Sequence, residues 1–229
     1  MLHAREQPAP PHFHEGLEQL KGRLLEMGGL AEERVRQALQ ALVERNTSLI
    51  AQVIKGDDPI NRLHVEVDTR CFQLLALHQP MATDLRAIVA AVKINTDLER
   101  VGDLAVNIAQ AAQRYLDNPP VKKLTDIALM GNIAQSMLRD ALDAYVKGDI
   151  ATARRVLNED DRVDTLKRQA FRELLTHMRR DSFVLEPSLE LILISRHLER
   201  IGDHATNIAE DVIFMVSALD VRHHSAGSV

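Results

Sequence analysis

A chain of 229 residues, 45% of them hydrophobic, is long enough to bury a substantial core without disulfides. Its net charge of −5, its 3% aromatic content and its lack of tryptophan exclude nucleic-acid binding as a first interpretation, because that function needs a basic surface and stacking rings. The single cysteine, Cys71, cannot form an internal disulfide, and no stretch approaches the roughly 20 apolar residues of a membrane span. We therefore expect a buried cysteine and a cytoplasmic protein that meets a membrane only peripherally.

The first half of the chain predicts three long helices, because apolar residues recur at the helical period and prolines or glycines separate the periodic stretches. The predicted spans are residues 14–45, 59–77 and 83–115. A short helix ending near Ile54, capped by Thr47 or Ser48, is predicted between the first two. Thr83 or Asp84 is the predicted cap of the third long helix.

The second half repeats the first. Residues from Met27-Gly28-Gly29 onward match those from Met130-Gly131-Asn132 at an offset of 103, and Leu98–Asp103 matches Leu198–Asp203 at an offset of 100. The second set of helices is predicted at 124–147, 150–177 and 187–219. Short loops between long helices favour antiparallel neighbours, so the sequence predicts an all-α fold of two pseudo-symmetric three-helix bundles. The predicted repeats span 12–118 and 121–220, with frayed ends at 1–11 and 223–229.

Each repeat carries a pair of carboxylates one helical turn apart. Glu99 and Asp103 form the first pair and Glu199 and Asp203 the second, and each pair is followed by an asparagine. A helical wheel places both pairs opposite the apolar stripe, facing outward. Like charges at this spacing cost a few tenths of a kcal/mol, and a hard cation bound between them would reverse that repulsion.

The preceding helix of each repeat carries further oxygen-bearing residues. These are Asp57, Asp58 and Asn61 in the first repeat, and Asp160, Asp161 and Asp164 in the second. Antiparallel packing would bring each set beside a carboxylate pair, giving the oxygen ligands that magnesium, calcium, manganese or iron prefer. A solvated acidic face without metal is the alternative interpretation.

Sequence signatures of enzymes are missing, including Glu-x-x-His pairs, phosphate-cradling glycine loops and nucleophile elbows. His197 and His204 flank the second carboxylate pair and are candidate extra ligands, although Asp97 and Leu104 occupy their first-repeat positions. Gly102 and Gly202 in helix interiors predict either close helix approach or room for a ligand. A metal-dependent hydrolase and a metal-free helical module remain alternatives to a metal-binding protein.

The segments Asp97-Leu-Glu-Arg-Val-Gly-Asp103 and His197-Leu-Glu-Arg-Ile-Gly-Asp203 resemble the signature of the PhoU family, the phosphate-transport accessory and regulatory proteins of bacteria. Gln79-Pro-Met-Ala-Thr-Asp-Leu-Arg86 and Asp160-Asp-Arg-Val-Asp164 agree with it. The resemblance implies bound iron, zinc, magnesium or manganese. The implied primary ligands are Glu99, Asp103, Glu199 and Asp203, and the secondary candidates are Asp57, Asn61, Asp160 and Asp164.

The resemblance also implies a function. Members of that family are not enzymes but negative regulators of phosphate uptake and of the phosphate-starvation response. They link the ATPase of the phosphate ABC transporter to a phosphate-sensing histidine kinase. We therefore expect a cytoplasmic, metal-binding adaptor that forms a homodimer. The alternative is a metal-free helical scaffold whose acidic faces dock partners.

Overall fold

A computed structural model describes residues 11–56, 58–219 and 221 of the chain, and over this part it contains helices and no strand. The helices are α1 (Pro11–Val43), α2 (Thr47–Lys55), α3 (Asp58–His78), α4 (Ala82–Leu116), α5 (Thr125–Lys147), α6 (Ile150–Arg180) and α7 (Leu185–Ser217), with a 3-10 turn at Ser182–Val184. The predicted all-α fold with six long helices and one short helix is confirmed. The predicted frayed ends fall outside the described residues, except that Pro11 already belongs to α1.

Helix ends differ from the predicted caps in two places. Asn46, rather than Thr47 or Ser48, is the N-cap of α2, and its side chain accepts a hydrogen bond from the amide of Leu49. Helix α4 begins at Ala82, after Met81, and has no side-chain cap. Several candidate caps stand side by side in the sequence at both junctions, so local preference alone does not select one of them.

Each repeat folds into a three-helix bundle. Helices α1, α3 and α4 pack against one another in the first repeat, with α2 against α1 and α4, and α5, α6 and α7 do so in the second. The buried side chains of both repeats form one continuous core of Leu, Ile, Val, Ala and Met, in which Cys71 is fully buried as expected. Burial raises the pKa of its thiol to about 12, so it is inert as a nucleophile at neutral pH.

The two bundles meet through α1 against α5 and through α4 against α7. Gly28 of α1 packs under Leu142 of α5, and Gly131 of α5 packs under Leu39 of α1, so a β-carbon at either glycine would overlap a leucine methyl group. Gly131 and Leu142 are the partners of Gly28 and Leu39 at the offset of 103. The contact is therefore symmetric about the axis that relates the repeats.

Helices α4 and α7 run antiparallel along their extensive contact. Arg114 of α4 forms a paired ion contact with Glu190 of α7 at 2.8 and 2.9 Å, and Lys93 lies 2.7 Å from Asp211. Both helices that carry the Glu-x-x-x-Asp pairs are thus held at the centre of the molecule. None of the described helices is apolar over a long enough stretch to cross a membrane.

Candidate functional site

The second repeat brings its predicted ligands together between α6 and α7. Asp160 and Asp164 stand one turn apart on α6, and Glu199 and Asp203 stand one turn apart on the antiparallel α7. The Asp160 Oδ1 atom lies 3.7 Å from the point where a β-carbon of residue 202 would stand, so its carboxylate rests on the bare backbone of Gly202. A β-carbon there would make only an ordinary van der Waals contact with the carboxylate, so the close approach of α6 and α7 does not depend on the glycine.

Like charges accumulate in this cluster. Burial, followed by the charges of Asp203, Asp164, Asp161 and Glu199, raises the pKa of Asp160 from 3.8 to about 6. Burial and the charge of Glu199 also raise the pKa of Asp203, although His204 and Lys167 oppose the effect. Both shifts mean that the ionised carboxylates are held together at a free-energy cost.

One cation already lies among these carboxylates. The Lys167 ammonium group donates to Glu199 Oε1 at 2.5 Å and to Asp164 Oδ1 at 3.3 Å, which joins α6 to α7. Burial alone would lower the pKa of Lys167, but these two bonds outweigh it and the pKa is raised. Lys167 was not among the predicted site residues, although its position three residues after Asp164 on the same helix pointed to it.

The first repeat has a different arrangement. Arg100 lies 3.5 Å from both Glu99 and Asp103 and bridges the pair on its own helix. Asn61 is exposed on α3, and Asp57 lies outside the described residues. The side chains of Glu99 and Glu199 are 24% and 19% exposed, so the predicted outward faces are partly covered at the glutamates. The helical wheel missed this because it ignores the neighbouring helix that covers part of that face.

In the part of the chain that the structure describes, no three His, Cys, Asp or Glu side chains are grouped so that they could hold a metal ion as they are placed. The donor chemistry of the second-repeat cluster is still that of hard cations, since it offers carboxylate oxygens. The assignment of Glu99, Asp103, Asn61, Asp160, Asp164, Glu199 and Asp203 as metal ligands stays a prediction.

The two histidines near the second pair have separate surroundings. His204 Nδ1 lies 2.7 Å from Asp97 Oδ1 on α4, and Asn207 donates to the same oxygen at 3.2 Å, so His204 links the two repeats. The Nδ1 atom of His197 is buried and has no hydrogen-bond partner among the described residues. Burial, with the charges of Arg200 and Arg196, lowers the pKa of His197 and favours its neutral form.

Comparison with known proteins gives matches over both repeats. A family model described as the PhoU domain matches residues 24–112 and again residues 127–212. A relative from Caulobacter vibrioides, described as a phosphate-specific transport system accessory protein PhoU homolog, is 41% identical over 203 residues, which is 88% of each chain. A Pseudomonas aeruginosa relative of the same description is 40% identical over 212 residues, covering 92% of this chain and 88% of the relative.

Solved structures agree in fold. The crystal structure of PhoU from Pseudomonas aeruginosa superposes with a TM-score of 0.87 at 39% identity, covering 90% of this chain and all of that one. The phosphate transport system regulatory protein PhoU from Streptococcus pneumoniae gives a TM-score of 0.85 at 27% identity, covering 91% of this chain and 99% of that one.

These relatives are described as accessory or regulatory proteins, which confirms the expectation that the family is not one of enzymes. The limits 12–118 and 121–220 predicted for the repeats remain predictions. Two matches to one family model, which together cover most of the chain, and relatives at about 40% identity over nearly its whole length leave one conclusion. The chain belongs to the PhoU family.

Proposed function

We propose that this protein is a cytoplasmic negative regulator of phosphate uptake and of phosphate-starvation genes. In this proposal it is a metal-binding homodimer that links the ATPase of the phosphate ABC transporter to a phosphate-sensing histidine kinase. The names of its relatives support a role alongside the phosphate-specific transport system. The observation that carries the metal-binding part is the crowding of Asp160, Asp164, Glu199 and Asp203 between α6 and α7.

The carboxylate cluster supports metal binding through its electrostatics. Burial first, and then four neighbouring carboxylates that a single ammonium group does not balance, raise the pKa of Asp160 to about 6. Asp160, Asp164, Glu199 and Asp203 would hold the metal in the second repeat. In the first repeat, Glu99 and Asp103 would hold it with Asn61, and Asp57 is a further candidate from the sequence. A bound metal would supply the positive charge that these carboxylates lack.

The protein's own residues give metal occupancy a regulatory effect. With the carboxylates uncompensated, the acidic helix faces repel acidic surfaces on a partner. When a bound metal neutralises the carboxylates, docking of these faces against an acidic partner surface is no longer opposed. Lys167 competes with a metal for Glu199 and Asp164, so it weakens binding and keeps it reversible.

Metal retention tests the proposal. The purified protein, dialysed against buffer with each candidate metal and then against metal-free buffer, is analysed for elements beside Glu199→Gln with Asp203→Asn. We expect the wild-type chain to retain metal and the variant to lose the second-repeat share. Lys167→Met should bind more tightly than the wild type, because it removes the competing cation. Lys147→Met, which removes an exposed lysine paired with Asp143, is the matched control.

The same variants test the regulatory part. In a strain lacking the endogenous gene, the wild-type chain should restore repression of phosphate-starvation genes at high phosphate, and the carboxylate variant should not. Retention of equal metal by wild type and variant would contradict the ligand assignment. If neither retains metal while the wild-type chain still restores repression, the metal-free docking alternative is correct.

A further inference from the structure

A groove of about 770 Å³ opens between α6 and α7, beside the carboxylate cluster. Phe171 of α6, which is 44% exposed, forms part of its wall, and Ile192 and Ser195 of α7 contribute to its lining. The groove ends against Glu199 and Asp203. Its volume lies within the range of about 300–1,000 Å³ that is typical of small-molecule sites.

The groove is positively charged in a protein whose net charge is −5. Its lining contains five cationic side chains and only two carboxylates. The cationic side chains are Lys167, Arg168, Arg172, Arg196 and Arg200. Lys167 is held by carboxylates, while the guanidinium of Arg168 donates to the backbone oxygen of Asp164 and to the Thr165 hydroxyl. The two carboxylates of the lining are therefore too few to balance this positive charge.

Three of these arginines, all exposed to solvent, have no side-chain acceptor within the described residues. The side chains of Arg172, Arg196 and Arg200 form neither a hydrogen bond nor an ion pair with any described residue. Arg196 and Arg200 also stand four residues apart on α7, as Arg168 and Arg172 do on α6, and like charges at this spacing repel. A bound anion would turn both repulsive pairs into favourable contacts.

The first repeat lacks these features at the equivalent positions. At offsets of 103 and 100, Arg168, Arg172 and Arg196 correspond to Val65, Thr69 and Thr96, and Phe171 corresponds to Asp68. Arg200 corresponds to Arg100, which is already paired with Glu99 and Asp103. The cationic groove is therefore specific to the second repeat.

The two repeats also differ at one position in the interface between these helices, which is Asn95 in α4 and Ser195 in α7. In the first repeat, the Asn95 amide reaches from α4 to α3 and donates to Asp68 Oδ1 and to the His64 carbonyl, both at 2.9 Å. Its counterpart Ser195 is shorter, and its hydroxyl donates within α7 to the Ile192 carbonyl at 2.8 Å. The α6–α7 pair therefore has no polar bridge at this level, and the space is left to the groove.

We propose that this groove binds an organic polyphosphate of the nucleoside di- or triphosphate class. The phosphates contact Arg172, Arg196 and Arg200, whose planar guanidinium groups match phosphate oxygens in pairs, and the flat ring packs on Phe171. The four arginines occupy a single turn of each helix, about 6 Å along its axis. That concentration of charge suits a short phosphate chain better than an acidic helix, whose carboxylates are spread over several turns.

Calorimetric titration of the full-length protein tests the proposal. ATP, ADP, adenosine and pyrophosphate are the probes, and a chelator is present so that binding does not depend on metal at the neighbouring carboxylates. We expect ATP and ADP to bind, pyrophosphate to bind more weakly and adenosine not to bind measurably. Arg172→Gln with Arg196→Gln should weaken ATP binding by roughly tenfold or more, since each arginine supplies charge-assisted hydrogen bonds.

Two further variants separate the contributions. Phe171→Leu should weaken ATP binding several-fold and leave pyrophosphate binding unchanged, because only the ring contact is lost. Arg62→Gln, which changes an exposed arginine on α3, is the matched control and should bind all probes as the wild type does. Circular dichroism checks that every variant is folded.

Several results would overturn the inference. These are no ATP binding at millimolar concentration, equal ATP binding by the wild type and the double arginine variant, or pyrophosphate binding as tight as that of ATP with no effect of Phe171→Leu. Binding of a glutamate-rich peptide in the groove, together with no binding of ATP, would also overturn it. Failure here leaves the proposed regulatory function intact, because the arginines are not among its metal ligands.

Discussion

The pKa of Asp160 depends on the burial of its side chain and on the charges around it. Its carboxyl group is half-buried on α6 and faces the carboxylates of α7 across the helix pair, so its pKa rises from 3.8 to about 6. Below about pH 4 the group is protonated in both folded and unfolded chains. As the pH rises from about 4 through 6, Asp160 ionises in the unfolded chain before it ionises in the folded chain. Ionisation of Asp160 therefore opposes folding, and the stability of the protein falls.

Asp160→Asn should therefore stabilise the metal-free protein at neutral pH. We expect a gain of about 1 kcal/mol in the free energy of unfolding at pH 7, after allowance for solvent screening at a half-exposed site, and no gain near pH 4. Urea denaturation in the presence of a chelator, at both pH values, measures the difference. The exposed neighbour Asp161→Asn is the control and should gain less than half as much. A gain at pH 4 equal to that at pH 7 would contradict the electrostatic explanation.

At the scale of the helices, the sequence predicted most of the structure. Apolar residues at the helical period located all six long helices, and Gly148, in the left-handed conformation with φ of 63°, ends α5 just before Asp149 caps α6. What could not be predicted was the packing of one helix on another. Gly28 gave no sign in the sequence that Leu142, 114 positions away, covers it, because that contact arises only when the repeats dock.

Two glycines of α1 separate helix propensity from packing. Gly22→Ala should stabilise the protein by about 0.5–1 kcal/mol, because nothing lies within 4 Å of the new β-carbon and alanine favours the helix. Gly28→Ala should destabilise it by about 1–2 kcal/mol, since Leu142 must move and the overpacking exceeds the gain in propensity. Chemical denaturation of both variants measures the difference. Equal stabilisation by the two substitutions would show that the α1–α5 contact is loose.

At the scale of the whole molecule, the repeat explains the architecture and its exceptions indicate function. The offset predicted paired carboxylates in both halves, and the structure brings those of the second repeat together between α6 and α7. The offset could not predict Lys167, the open groove or the Asp97–His204 link, because each depends on residues that differ between the repeats. The structural effect of such differences arises only when two helices pack against each other.

The Asp97–His204 link joins α4 of the first repeat to α7 of the second. Asp97 accepts from both His204 and Asn207, and its side chain is only 13% exposed, so Asp97→Ala leaves two polar groups without their acceptor. We expect a loss of about 1–3 kcal/mol in the free energy of unfolding. Thr96→Ala, an exposed neighbour whose hydroxyl bonds only within its own helix, should change stability by much less.

The two tyrosines report where that loss is felt, because Tyr115 lies in the first repeat and Tyr145 in the second and the chain has no tryptophan. Tyr115→Phe and Tyr145→Phe each leave one tyrosine, whose fluorescence follows its own helix, α5 or α4, through urea unfolding. Because the core and the α4–α7 contact are continuous across both bundles, the two signals should share one midpoint. Asp97→Ala, introduced into each background, should lower both midpoints by the same amount. If only one midpoint fell, the repeats would be independent domains, and a change at one acidic cluster could not reach the other through the fold.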